Sequence, residues 1–198
     1  MRSNYPLHLQ KVFEAVDFAL EQEEVYKVIT LGKRRKEVPF YKRMKKYFND
    51  KGVKLHKNKY PIGTTMPDVV FEIGGQKFWV EVGHRTIIQS EPAFWTVNKA
   101  RDGFRKMVEG NVDPSYQICI EILTDIKGDY KALKTQYPVC QSYLSSDFNT
   151  TERTDRLNDV MKAIINEYGN NWYYFVNDTQ IDADLQVYLH VWVIWKQI

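Results

Sequence analysis

A chain of 198 residues, 43% hydrophobic and 27% charged, has the composition of a globular protein and the length of one domain. No apolar run reaches membrane-spanning length and no secretory leader is visible, which excludes a membrane protein and favours a cytoplasmic (intracellular) one. Cys119 and Cys140 lack the spacing of a metal site or a disulfide framework, as expected in a reducing compartment.

The N-terminal part, residues 1–50, is predicted to be helical. Apolar residues three and four positions apart predict one helix from Leu7 to Thr30. A second helix covers Glu37 to Asn49, with Pro39 tolerated in its first turn. Val53 to Tyr60 then alternates in polarity, which predicts a strand.

A basic block lies within this part of the chain. Residues 33–59 contain twelve Lys or Arg and two acids, so the segment carries +10 while the rest of the chain carries −7. Such a block suits a polyanion such as nucleic acid; the alternative is a solvated helix face followed by a loop. The residues of the block predicted to bind nucleic acid are Lys33, Arg34, Arg35, Lys36, Lys42, Arg43 and Lys46.

The stretch Met66 to Arg85 predicts a hairpin around which the chain is organised. Gly74 and Gly75 separate two β-rich runs, and a Gly-Gly pair in that position is typical of a two-residue turn. Folding there places Asp68, at the start of the first strand, opposite Glu81, at the end of the second. Directly opposed residues share a face, with Cβ atoms roughly 5 Å apart.

After the hairpin, a helix is expected to begin near Ala93, and the nearly all-apolar run Tyr116 to Leu123 predicts a strand covered on both faces. Leu185 to Trp195 is apolar on both faces, so it is either central in the sheet or an edge that pairs with a partner chain as a homodimer. The other elements predicted here are a short helix at 130–135, a short strand around Val139, a helix from Thr151 to Tyr168, and a strand from Asn171 to Val176 followed by a turn at Asn177-Asp178.

This order of elements predicts an α/β (α+β mixed) fold with a central mixed β-sheet flanked by helices. No internal repeat or long linker divides the chain, so residues 1–198 are predicted to form a single domain. Residues 151–198 supply its C-terminal helix and strands.

The facing pair Asp68 and Glu81 predicts a metal site. Two carboxylates at that distance repel each other and raise a pKa unless a cation lies between them. Mg²⁺ is the usual solution, because it accepts carboxylate oxygens and keeps several waters. The alternative is a pair of carboxylates that are merely solvated at the ends of their strands.

Pro67-Asp68, twelve further residues, and then Glu81-Val82-Gly83 resemble the signature of the PD-(D/E)xK nuclease superfamily. The resemblance covers a core of about residues 37–124 and implies a restriction-endonuclease-like fold. It also implies that the two acids and the carbonyl of Val82 hold Mg²⁺ or Mn²⁺, with Glu37 on the early helix as a further carboxylate.

The chain departs from the pattern at Gly83, where the superfamily has a lysine that orients the attacking water and neutralises charge on the phosphate. In one interpretation the cation has moved to Lys99, on the next helix, or to Arg85, on the same strand face. That variant resembles the cap-snatching endonuclease domain of influenza-type polymerase acidic subunits. In the other interpretation the site has lost its activity and only binding remains.

The sequence therefore predicts a metal-dependent endonuclease in which Asp68, Glu81, Lys99 and Arg85 act on a phosphodiester bond. DNA is slightly favoured over RNA, because the early helix is similar to that of archaeal Holliday-junction resolvases, whereas the Glu-x-Gly variant favours RNA. The alternatives are a catalytically inactive nucleic-acid-binding protein and a cap-snatching type of RNA endonuclease. His84 follows the site directly, where it could bind the metal or contact a phosphate, and the favoured interpretation is a surface histidine.

Overall fold

The computed structural model describes residues 2–31, 35–57, 67–87, 91–109, 117–128, 150–182 and 185–196. After a 3₁₀ turn at Arg2–Asn4, the described elements are, in chain order, α1 (Leu7–Leu20), α2 (Glu23–Leu31), α3 (Val38–Asp50), β1 (Lys54–Leu55), β2 (Val69–Ile73), β3 (Gln76–Thr86), α4 (Pro92–Glu109), β4 (Gln117–Gly128), α5 (Thr150–Tyr168), β5 (Trp172–Asp182) and β6 (Leu185–Trp195). The helix predicted at 130–135 and the strand predicted around Val139 lie outside the described residues.

All six strands form one mixed sheet in the order β1-β2-β3-β4-β6-β5. β3 and β4 pair in parallel across the connection that contains α4, and the other neighbouring pairs are antiparallel. Helices α1, α2 and α3 pack on one face of the sheet, while α4 and α5 pack on the other. The predicted α/β fold, with a central mixed sheet flanked by helices, is confirmed. None of the described helices is long and apolar enough to cross a membrane.

The single helix predicted over residues 7–30 is in fact two helices. Residues 21–24 are Glu-Gln-Glu-Glu, so they supply no apolar side chain to continue the buried stripe. The stripe resumes in α2 with Val25, Tyr26 and Ile29, which are fully buried. Helix propensity is high throughout this stretch, and the loss of a buried face decides where α1 ends.

Strands β3 and β4 are longer than predicted. β3 continues beyond Glu81 to Thr86, because the residues after Glu81 pair with β4, with Val82 opposite Ile120. β4 likewise continues to Gly128, paired along its length with β6. Glu81 therefore lies inside a strand that is paired on both sides, and not at a strand end. The strand predicted over 53–60 is shorter, since β1 covers only Lys54–Leu55 and residues 58–60 lie outside the described part.

The turn predicted at Asn177-Asp178 is wrong, because β5 continues through both residues to Asp182. The side-chain amide of Asn177 donates to the carbonyl of Leu20 (Nδ2–O, 3.1 Å) and so fastens β5 to the end of α1. β6 pairs with β4 on one edge and β5 on the other. The last strand is therefore interior, and it has no free edge to pair with a second chain as the homodimer expectation requires.

Candidate active site

The β2–β3 hairpin brings Asp68 and Glu81 together as predicted. Gly74 and Gly75 have φ of 60° and 82°, which a tight hairpin turn requires and glycine adopts without strain. Val69 pairs with Val80, so Asp68 is the next residue outward, and it lines the same cleft as Glu81. The backbone N–H of the neighbouring Val82 donates to Asp68 Oδ2 at 2.8 Å, which fixes the Asp68 carboxylate beside the third strand.

The two acids lie on the side of the sheet that α4 covers. Their strand neighbours Val70 and Trp79, which share that face by the two-residue period of a strand, pack in the α4–α5 core. Trp79 is therefore a core residue. Both Asp68 and Glu81 line the cleft on this side of the sheet.

Helix α4 lies close against the strands at Gly103. A Cβ at this position would lie 2.7 Å from the Sγ of Cys119 and 3.3 Å from the Cβ of Glu81. Because only a glycine permits this approach, the cleft-facing stripe of α4 comes close to the carboxylates. Lys99 and Lys106 lie on that stripe, seven residues and two helical turns apart.

The strands and α4 enclose a cleft of about 330 Å³. Its walls alternate acids and bases, which is the composition of a site for a charged ligand and not for an apolar one. The acids are Glu37, Asp68, Glu81, Asp102 and Glu121, and the cations are Arg85, Lys99, Arg105 and Lys106.

Asp68 is the most perturbed of the predicted ligands. Burial raises the pKa of Asp68 to about 7, and the negative charges of Glu81 and Glu37 add to that effect. The hydrogen bond from Val82 and the positive charge of Lys45 oppose it. Burial in turn lowers the pKa of Lys45, which is half-buried on α3. A carboxylate in this environment gains from a cation that neutralises the pair.

Sequence reasoning missed Lys106, which lies 3.5 Å (Nζ–Oε2) from Glu81 in an ion pair. The available signal was the seven-residue spacing from Lys99, which puts both lysines on one face of the helix. Lys99 is exposed at the same cleft and, within the described part of the chain, forms no ion pair.

Sequence reasoning also missed Glu121, the one acid in the apolar run Gln117–Leu123 of β4. It lines the cleft floor opposite Gly83 and is only 3% exposed. Burial raises the pKa of Glu121 well above its usual range, with Arg85 and Lys99 opposing and Glu81 adding to the rise. The lone charge in a buried strand was the signal that could have identified it.

Arg85 lines the cleft, but two contacts hold its guanidinium. It donates to the carbonyl of His84 (Nη1–O, 2.9 Å) and lies over the ring of Trp95, 5.4 Å from the ring centroid. Trp95 is 44% exposed beside the cleft. An exposed ring with a cation against it can accept a nucleobase by stacking.

His84 is half-buried and lines the cleft wall. Its Nε2 lies 2.7 Å from Oγ1 of Thr124. Burial lowers the pKa of His84 to about 3, with Lys36 and Arg85 acting in the same direction. The ring is therefore neutral at physiological pH and offers a phosphate no positive charge.

The basic block does not line the cleft as a unit. Lys36 is buried, and Arg35 is exposed near the start of α3. A separate pocket is lined by Lys42, Arg43 and Lys46, where Arg43 pairs with Glu24 and Lys46 with Asp50. The remaining two predicted contacts, Lys33 and Arg34, lie outside the described residues.

Among the described residues, no three His, Cys, Asp or Glu side chains are already close enough to form a ready-made metal cage. Comparison of the chain with protein-family models, with curated proteins and with solved structures found no match.

Proposed function

We propose that this chain is a divalent-cation-dependent nuclease that hydrolyses phosphodiester bonds in the α4 cleft. The observation that carries the proposal is the pair Asp68 and Glu81, directed to one side of the sheet inside a cleft that four cations also line. A cleft lined only by acidic side chains would suit a cation, and one lined only by basic side chains would suit a phosphate. Their alternation in one cleft fits both partners of a metal-assisted phosphoryl reaction.

The residues present fit Mg²⁺ or Mn²⁺. Carboxylate and carbonyl oxygens are the hard donors that these ions prefer, and Mg²⁺ needs only one or two carboxylates because it retains waters. Asp68 and Glu81 would hold the ion with the carbonyl of Val82, and Glu37 stands at the same cleft. When bound, the ion supplies Lewis-acid stabilisation of the phosphate and lowers the pKa of a water.

The side chains of the cleft then have separate roles in orienting the carboxylates and stabilising the phosphate. The Val82 N–H orients the Asp68 carboxylate, and Lys106 holds Glu81. Lys99, with no ion pair of its own in the described chain, is left to face the negative charge that develops on the phosphate. Trp95, exposed beside Arg85, provides a stacking surface for a base next to the scissile bond.

The direct test is incubation of the purified chain with plasmid, single-stranded DNA and RNA in Mn²⁺ and in EDTA. We expect cutting only with the cation, and the ranking of the three substrates decides between DNA, slightly favoured here, and RNA. No cutting of any substrate in Mn²⁺ would remove the nuclease proposal. The proposal also places the protein inside the cell.

Replacing Lys99 by Ala is expected to lower the cleavage rate by about 10²- to 10³-fold, because one preorganised charge against a transition state is worth that much. Mn²⁺ affinity should hardly change, since Lys99 is not a ligand. Arg85→Ala is expected to lose less than tenfold, because its guanidinium is held on His84 and Trp95. Rates under single-turnover conditions measure both losses.

The matched control for this prediction is Lys162→Ala, which removes an exposed lysine of α5 that pairs with Asp159. It should cut like the wild type. Equal losses in Lys99→Ala and Arg85→Ala would contradict the assignment of Lys99 as the relocated cation.

A catalytically inactive nucleic-acid-binding protein is the second candidate, and one observation favours it: an acid, Glu121, lies against Gly83 where the superfamily pattern expects a lysine. Such a binder would hold an oligonucleotide equally well in EDTA and in Mn²⁺, with an affinity that falls steeply with salt. The cleavage assay with the wild type separates the two candidates.

A further inference from the structure

Glu121 and Gly83 are direct partners in the parallel pairing of β3 and β4. A Cβ built on Gly83 would lie 2.2 Å from Oε2 of Glu121 and 2.6 Å from its Cδ and Oε1. The carboxylate of Glu121 therefore lies directly over the backbone of Gly83. The space that a side chain at position 83 would occupy is thus filled by the carboxylate of Glu121.

This carboxylate is buried without being satisfied. Glu121 is 3% exposed, it lines the cleft, and its Oε2 has no hydrogen-bond partner in the described chain. A buried acid with a free oxygen is strongly destabilising unless something neutralises it. The nearby cations do not do so by direct contact: Arg85 is held on His84 and Trp95, and Lys99 is exposed.

We infer that Glu121, and not Glu37, is the third carboxylate of the divalent-cation site, and that Gly83 is glycine because the Glu121 carboxylate occupies its side-chain space. The inference rests on the proposed function, since it assigns a ligand to the same cation. Glu121 joins Asp68 and Glu81 from the neighbouring strand, on the same face of the sheet. No such group is already close enough to hold an ion among the described residues, so the three side chains must draw together when the cation binds.

The test is calorimetric titration of MnCl₂ into the metal-free wild type, Glu121→Gln and Glu37→Gln, without nucleic acid. Glutamine keeps the size of the side chain and removes the charge, so the metal-free melting temperature of Glu121→Gln should equal or exceed that of the wild type. We expect Glu121→Gln to weaken Mn²⁺ binding by at least about tenfold. Glu37→Gln should change it by less than threefold.

A second variant, Gly83→Ala, moves the Glu121 carboxylate without changing any acid. The atoms that its Cβ would meet are the end of a flexible side chain, so the fold should survive while the carboxylate is displaced. We expect its Mn²⁺ affinity to fall as well. Glu167→Gln, which removes an exposed acid paired with Arg101 on the far side of α4, serves as the control and should bind like the wild type.

The outcomes separate the two proposals. If the wild type binds Mn²⁺ and Glu121→Gln binds it equally well, the inference about Glu121 is overturned while the nuclease proposal stands. If Glu37→Gln, and not Glu121→Gln, loses affinity, the third carboxylate is Glu37. Absence of Mn²⁺ binding by the wild type would overturn both.

Discussion

Replacing Asp68 by Asn is expected to abolish cation-dependent cleavage and, at the same time, to stabilise the metal-free protein. The loss in rate should be at least about 10³-fold, because cation stabilisation of a phosphoryl transition state is worth several kcal/mol. The asparagine oxygen still accepts the N–H of Val82, so the local geometry is retained. The buried negative charge beside Glu81 is gone.

The gain in stability of the metal-free variant depends on pH. An aspartate in an unfolded chain titrates near pH 3.9, whereas the pKa of Asp68 in the fold is raised to about 7. The folded state therefore holds the proton more tightly. The wild type loses stability as pH rises from about 4 to 7, by on the order of 4 kcal/mol, and the penalty is fully present above pH 7.

Urea unfolding of the wild type and Asp68→Asn at pH 4 and pH 8, without metal, measures this effect. The variant should be more stable at pH 8 and should show the smaller change between the two pH values. Asp50→Asn, which changes an exposed acid paired with Lys46, is the control and should follow the wild type. A variant that is destabilised at pH 8, or that still cuts in Mn²⁺, would contradict the assignment of Asp68.

Replacing Gly103 by Val is expected to destabilise the protein by about 3 kcal/mol and to lower cleavage strongly. The new side chain meets Sγ of Cys119, which is buried on β4, and Cβ of Glu81, and neither can swing away as a long side chain would. Overpacking of a filled core costs about 1–3 kcal/mol. Moving α4 outward also withdraws Lys99 and Lys106 from the carboxylates.

The double variant Gly103→Ala/Cys119→Ala tests whether contact with the Cys119 sulfur causes this destabilisation. The single Gly103→Ala variant gains up to about 1 kcal/mol of helix propensity but still meets the sulfur. Removing the sulfur makes room for the added methyl, so the double variant should be more stable than the sum of the two single changes predicts. Additive unfolding free energies would show that the Gly103–Cys119 contact does not set the position of the helix.

The hairpin was readable from the sequence because its determinants are local. Gly74-Gly75 fixes the turn, the turn fixes the register, and the register fixes which side Asp68 and Glu81 face. The sheet with helices on both faces followed from periodicity and element order in the same way. The α1–α2 break and the length of β3 were not readable in advance, since each depends on what a distant element buries or pairs with.

The rest of the cleft depends on contacts between elements that sequence spacing does not reveal. Glu121 meets Gly83 only because β4 pairs in parallel with β3 in one particular register, and a shift of one residue would turn it to the opposite face. Lys106 reaches Glu81 only because Gly103 lets the helix approach. Nor does the sequence show where the basic block lies: of its described members, Lys42, Arg43 and Lys46 line a pocket separate from the cleft.

The parallel pairing of β3 with β4 also implies an order of assembly. A two-residue turn closes in microseconds, whereas joining strands across an intervening helix must first overcome the entropy of a long loop. The chain should therefore bring Asp68 and Glu81 together early, in a nascent ribbon, and add Glu121 only when the crossover is complete. Amide exchange should accordingly find the β2–β3 hairpin protected before the strand that carries Glu121 during refolding.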